Sequence, residues 1–221
     1  MLGILPGRVA RVRVALAAVI ALTTTSVAFA SPQFSATFHL TYLSQHPGAS
    51  SGQVPLMTWT DPGAPAEVPK TIKRIGLTFH RGTHFDTSAL PRCRAAKASA
   101  CPKATTLGTG HTTGVSPSGA EFVTDVTLFN GRGEIIVLVT LNGTPVTEFR
   151  DRVKGRKITI EPVLPAGVAL KRLKLRIGRH STYMTNPPAC PRSREWTTTA
   201  RFTYVDGSAQ TLRSTSPCKP S

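Results

Sequence analysis

Hydrophobic and polar residues alternate along much of this chain with a period of two, as expected of strands that are buried on one face. The alternation is clear over residues 34–43, 73–80 and 121–129. Residues 134–141 are apolar at nearly every position and therefore predict a central strand. Helical periodicity is nearly absent, so the pattern predicts an all-β protein.

Further strands are predicted at four segments: residues 157–163, 168–177, 196–205 and 208–214. Asn130-Gly131 and Asp206-Gly207 are hairpin turn signals, and we expect positive φ at both residues of the second. Gly108 and Gly110 are interpreted as turn glycines. About eight strands at these spacings favour a two-sheet antiparallel β-sandwich.

Residues 44–70 contain five prolines and predict a long Pro/Gly-rich loop that covers the core. Hydrophobic residues make up 40% of the chain and charged residues 17%, a composition that supports a packed core and excludes an intrinsically disordered chain. We therefore expect residues 31–221 to form a single β-sandwich domain.

The N-terminal segment has the pattern of a secretory signal peptide. Residues 1–13 are basic without acids, residues 14–22 are apolar, and Ala28-Phe29-Ala30 is a cleavage motif before Ser31. The apolar stretch is shorter than the ~20 residues that a membrane span requires. We expect residues 1–30 to be removed, which leaves a secreted protein without an integral membrane segment.

Four cysteines in an exported chain predict disulfides. Cys93 and Cys101 bracket a short alanine-rich loop, and Cys190 and Cys218 flank the C-terminal hairpin. Pairing within each local element predicts the disulfides Cys93–Cys101 and Cys190–Cys218. A zinc site is the rival interpretation, but the sequence has no C-x-x-C pair and thiolates oxidise in such a compartment.

Several blocks of the chain resemble a recurrent pattern in secreted actinobacterial proteins. The blocks are residues 85–93, Ala100-Cys101-Pro102-Lys103, Leu107-Gly108-Thr109-Gly110, Phe129-Asn130-Gly131, residues 187–191, Trp196, residues 202–208 and Ser216-Pro217-Cys218. The resemblance extends from about Lys70 to the C-terminal end. It implies an exported, disulfide-bearing β domain, and it supplies no catalytic residues because that family has no characterised function.

The chain is strongly basic, with 27 Lys and Arg residues against 11 Asp and Glu residues. Arg172, Lys174 and Arg176 alternate with apolar residues, so in a strand they share one face. A second basic group lies upstream and comprises Arg152, Lys154, Arg156 and Lys157. If the two segments are neighbours, they form one cationic patch that attracts an anionic envelope polysaccharide or another acidic surface. The alternative is a solvated face that keeps the protein in solution.

Nucleic acid is disfavoured as a partner, because aromatic residues are only 6% of the chain and the basic run is interleaved with Leu and Ile, which cannot stack on bases from inside a core.

Gly48-Ala49-Ser50-Ser51-Gly52 fits the G-x-S-x-G pattern of hydrolases, but it lies in a predicted loop rather than between a strand and a helix.

His80, His84 and Asp86 are the best candidates for metal ligands. Arg81 adds a positive charge among them, and no fourth ligand is near in sequence. The sequence therefore favours an exported, non-catalytic binding or envelope-associated domain without metal or cofactor. The alternative is a secreted hydrolase or metal-dependent enzyme that uses these three residues.

Overall fold

The computed structural model describes residues 33–178 and 182–220, so the predicted signal peptide at residues 1–30 lies outside the described part. The described strands are numbered in chain order: β1 (Ser35–Tyr42), β2 (Ser50–Ser51), β3 (Gln53–Thr60), β4 (Ile72–Thr78), β5 (His84–Phe85), β6 (Thr106–Val115), β7 (Glu121–Asn130), β8 (Glu134–Leu141), β9 (Thr144–Lys154), β10 (Lys157–Ile160), β11 (Ala169–Ile177), β12 (Met184–Thr185), β13 (Glu195–Tyr204) and β14 (Ala209–Pro217). Short 3-10 turns occupy Pro65–Glu67, Ala98–Ala100 and Lys103–Thr105.

Eleven strands form one antiparallel sheet in the order β1-β3-β11-β6-β7-β8-β9-β10-β4-β13-β14. The two outermost strands of this order meet, because the backbone N–H of Leu40 in β1 donates to Ser214 Oγ in β14 at 2.8 Å. The sheet is therefore curled into a nearly closed, barrel-like wall. Strands β2, β12 and β5 form a separate small sheet.

The all-β class is confirmed, but the prediction of an eight-stranded, two-sheet sandwich is wrong. Both architectures bury alternate residues of each strand, so the same period of two is expected from either. The sequence reasoning also missed β3, β6 and β9, and without these strands the wall cannot close. Closure is a property of strand pairing, which alternation within one strand does not reveal.

The predicted loop at residues 44–70 contains β3, which lies between β1 and β11. Pro55 hid this strand, because proline lacks the N–H that a central strand needs. In the structure Pro55 pairs with Leu40 of β1, and the ladder to β11 is interrupted between Leu56 and Gln53. The missing donor therefore falls where no ladder hydrogen bond is formed. Met57 and Trp59 continue the buried face of β3.

Gly108 and Gly110 are not turn residues but lie inside β6, where they pair with Ile177 and Leu175 of β11. A Cβ atom built on Gly110 would lie 2.1 Å from the carbonyl oxygen of Lys174, and one on Gly108 would lie 2.2 Å from that of Arg176. Only glycine permits this close approach of the two strands.

Both hairpin signals mark hairpins, but neither dipeptide occupies the turn as expected. Gly207 N–H donates to the Tyr204 carbonyl, and Tyr204 N–H donates to the Ser208 carbonyl, so the loop has three residues. Gly207 has φ 84°, whereas Asp206 is not among the residues with positive φ. Asn130 is the buried last residue of β7, and its side-chain amide donates to the carbonyl groups of Thr87, Leu90 and Pro91.

Both predicted disulfides are confirmed, with Cα–Cα distances of 5.2 Å for Cys93–Cys101 and 5.6 Å for Cys190–Cys218. The first closes a loop whose Ala98 packs on Phe129. The second joins the end of β14 to the segment before β13. Two disulfides indicate an oxidising environment. Among the described residues, no helix has the length and apolar character to cross a membrane.

Candidate functional site

A cavity of about 290 Å³ lies inside the curled sheet, against the half of the wall formed by β6 to β9 and β11. Its lining is almost entirely apolar. The lining includes Val126, Leu128, Val137, Val139, Phe149, Leu170, Leu173 and Leu175. Thr112 and Thr124 also line it, but their hydroxyl groups bond to each other at 2.9 Å. The cavity wall therefore offers few free polar atoms to water.

The two halves of the interior are filled differently. Around β1, β3 and β13 large rings meet across the core, with ring centroids 5.3 Å apart for Tyr42 and Trp196 and 5.6 Å apart for Trp59 and Phe202. The half around β6 to β9 has mostly Val, Thr, Leu and Gly at its inward positions. These shorter side chains do not reach the centre, so a space remains there.

Gly114 and Phe122 shape the wall near one end of the cavity. The two residues are paired across β6 and β7, and a Cβ atom on Gly114 would lie 2.5 Å from Cζ of Phe122. The Phe122 ring therefore lies against the glycine, and both residues line the cavity. An alanine in place of Gly114 would displace the ring of Phe122.

The exposed residues of the cavity lining, Val146 and Pro165, lie near the start of β9 and in the connection formed by residues 161–168, which places the opening between these two segments. Val146 lines the cavity and is 47% exposed. The ladder between β8 and β9 shifts at this point, with Val139 opposite Thr147 but Thr140 opposite Pro145. A bulge of this kind redirects a side chain, here that of Val146, at the rim of a curled sheet. Thr147 Oγ1 donates to the Val163 carbonyl at 3.1 Å and joins the two sides of the opening.

Asp151 lies at the opposite, inner end of the cavity and is only 4% exposed. Burial, followed by the nearby charge of Glu161, raises the pKa of this carboxyl to about 8, although a hydrogen bond from the Glu161 backbone opposes the rise. No residue in the described part of the chain donates a hydrogen bond to its Oδ1 atom. A neutral carboxyl group is therefore favoured at neutral pH.

Two further buried polar groups accompany Asp151. Gln53 lines, with Asp151, a smaller cavity of about 30 Å³ that shares Leu128, Leu173 and Leu175 with the larger one. Tyr183 is also buried, and its hydroxyl pKa is raised by burial and by the charge of Asp151. Gln53 Oε1 and Tyr183 Oη likewise have no hydrogen-bond partner among the described residues.

Sequence reasoning missed this site and did not single out Asp151. A usable signal does exist. Thr147, Phe149, Asp151 and Val153 occupy alternate positions of β9, so the acid continues an inward-facing row. The mouth and the cavity itself depend on which strands are neighbours, and the sequence does not specify this.

The two predicted basic groups are not neighbours. Arg172, Lys174 and Arg176 are exposed on β11, while Leu173, Leu175 and Ile177 point into the core, as their proposed register requires. The second group (Arg152, Lys154, Arg156 and Lys157) is also exposed, on β9, β10 and their turn. Strands β6, β7 and β8 separate the two groups. The condition for one continuous patch is therefore not met, because alternation determines which face a side chain occupies but not which strands are neighbours.

The structure does not bring His80, His84 and Asp86 together as ligands. Nδ1 of His80 accepts a hydrogen bond from Thr197 N–H at 3.2 Å, and burial together with the charge of Arg156 lowers its pKa. Asp86 caps a turn by accepting from the Ser88 N–H at 2.7 Å. No group of three potential metal ligands occurs within residues 33–178 and 182–220.

Ser50 of the G-x-S-x-G pattern lies in β2, and Gly52 leads into another strand.

No protein-family model matches this chain, and no curated protein matches it.

We expect the replacement Asp151→Asn to remove a pH-dependent component of stability. Between pH 3.8, the ordinary pKa, and about 8, the folded chain holds a proton that the unfolded chain has released. The wild-type free energy of unfolding should therefore fall as pH rises across this interval, by up to about 1.4 kcal/mol per pH unit.

Urea unfolding at several pH values in this interval measures this slope. The control is Asp125→Asn, which removes an exposed acid on the outer face of β7. Asp151→Asn should have the flatter profile. Equal slopes for Asp151→Asn and the wild type would show that the buried carboxyl does not hold its proton.

Proposed function

We propose that this protein is an exported, non-catalytic binding protein that holds a small apolar molecule inside its barrel-like sheet. The observation that carries this proposal is the apolar cavity of about 290 Å³ with an opening at Val146. Ligand pockets in proteins have volumes of about 300 Å³ and above, with mainly apolar walls and few polar groups. An apolar molecule that enters this cavity leaves water and gains contacts with the wall.

The size of the cavity argues against a simple packing defect. Protein interiors contain few voids larger than a water molecule. Cavities cost on the order of 24 cal/mol per Å³, so this one lowers stability by several kcal/mol if nothing fills it. A cost of that size is comparable with the whole stability of a typical domain. A ligand that fills the space offsets this cost, and a purely structural role does not.

The chemistry of the lining supports binding rather than catalysis. Among the described residues that line the cavity, Asp151 is the sole acid or base. A single buried carboxyl group lacks the partner that general acid–base or nucleophilic catalysis requires. Export is supported by the two disulfides and by the signal-peptide pattern of residues 1–30.

We expect the mature protein to bind the apolar fluorophore N-phenyl-naphthylamine with a rise in its fluorescence. Val139→Trp, which extends an inward side chain into the cavity, should weaken binding at least about tenfold, or about 1.4 kcal/mol. The matched control is Val123→Trp, since Val123 is 60% exposed on the outer face. Wild-type affinity in Val139→Trp, or a loss only in Val123→Trp, would contradict binding inside the sheet.

A second function is proposed for the outer face of β11. Arg172, Lys174 and Arg176 are exposed about 7 Å apart, and none of the three forms an ion pair with another described residue. Cations at this spacing lie within a Debye length of one another and reinforce one another's field. We propose that this row holds the exported protein to anionic envelope polysaccharide or another acidic surface.

We expect the wild-type protein to be retained on a polyanionic matrix at low salt and released as salt rises, because exposed charges are screened. Replacing Arg172, Lys174 and Arg176 together by Gln should abolish retention without unfolding the protein. The comparison variant replaces Arg152, Lys154 and Lys157 by Gln and changes the net charge equally. Wild type that fails to bind at low salt would refute the proposal, and equal loss in both variants would reduce it to an effect of net charge.

A further inference from the structure

Three unsatisfied polar atoms belong to Asp151, at the inner end of the cavity, and to two residues associated with it, Gln53 in the smaller cavity and Tyr183, whose pKa is raised by burial and by the charge of Asp151. Asp151 Oδ1, Gln53 Oε1 and Tyr183 Oη are all buried, and none has a hydrogen-bond partner within the described residues. Most buried polar side chains in proteins are hydrogen-bonded, and leaving one unpaired costs about 1–3 kcal/mol. Two of the three residues, Asp151 and Gln53, line the small inner cavity.

The position of this group relative to the apolar wall defines the shape of a matching ligand. Thr147 at the opening and Asp151 at the inner end lie on the same face of β9, four residues apart, so they are separated by about 13 Å along the strand. The lining between these levels includes Phe149, Val137 and Val139. A molecule that fills the cavity is therefore apolar along its length and polar at its inner tip.

The polar groups at the inner end of the cavity determine which polar group a bound ligand can carry at its tip. A carboxylate tip would bring a negative charge into this interior, next to the Gln53 oxygen, which can only accept hydrogen bonds. An ammonium tip would bring a charge into an almost fully apolar interior, where an ion is costly unless it is fully paired. A hydroxyl group is uncharged, donates one hydrogen bond and accepts another, and so complements a neutral carboxyl group.

We infer that the molecule held in this cavity is an apolar alcohol whose hydroxyl group binds between Asp151 and Gln53. This inference rests on the proposed function, since it assigns the ligand class of the same cavity. The hydroxyl group donates to the unpaired acceptor of Gln53 or Asp151 and accepts from the carboxyl O–H group. The apolar body extends from this point towards Val146 at the opening.

The test compares decanol with undecane, which have similar size and differ in the hydroxyl group. Competition with N-phenyl-naphthylamine gives the ratio of the two affinities for the wild type and for Asp151→Leu. The ratio in favour of decanol should be about tenfold higher in the wild type, and comparison within each protein cancels the different hydration of the two ligands. Asp151→Asn should retain more of the preference than Asp151→Leu, since its amide still forms hydrogen bonds.

Gln53→Leu removes the second acceptor independently and should also lower the ratio, so the test does not depend on one variant folding. The inference is overturned if all these variants keep the wild-type ratio, or if decylamine binds the wild type more tightly than decanol. In both cases the fluorophore still binds, and the proposed cavity function stands. Failure of the wild type to bind any of these molecules would instead refute the cavity function itself.

Discussion

The closure of the eleven-stranded sheet at the seam between β1 and β14 is the constraint on which the interior depends. At this seam the Leu40 N–H group donates to Ser214 Oγ, and the Leu40 carbonyl accepts from Ser216 Oγ. Both serines are buried. Side chains thus satisfy backbone groups that would otherwise be buried without partners. Because Pro55 faces Leu40 across the β1–β3 pair, the bonding groups of Leu40 point towards β14.

Closure produces an interior with two unlike halves. Aromatic side chains such as Trp59, Trp196 and Phe202 are fully buried near the seam and fill their half of the core. The half opposite them has short aliphatic side chains and Gly114, and a cavity remains there. The same wall keeps Asp151 away from water, which raises its pKa to about 8. Cavity, opening and buried carboxyl group therefore arise from one arrangement of strands.

The sequence predicted features that depend on local residues, but not features that depend on which strands are neighbours in the sheet. The predicted strands follow from alternation and both disulfides from short local elements, and the structure has them, although β3, β6 and β9 were missed. The order of strands does not follow, because a sandwich and a curled sheet need the same alternation. Pro55 concealed β3. The separation of the β11 row from Arg152 was not predicted either, because the sequence does not specify the order of strands in the sheet. The alternation in β9 could have identified Asp151 as an inward-facing acid. The cavity that it lines could not have been predicted from the sequence.

The most direct test of the account is a methyl NMR titration of the mature protein with decanol. We expect the methyl resonances of Val137, Val139 and Leu170, which line the cavity, to shift with saturation at one ligand per chain. Val123 and Val205 are exposed on the outside and should be unaffected. Shifts confined to the outward valines, or no saturable shifts at any methyl group, would contradict the claim that the curled sheet encloses a ligand site.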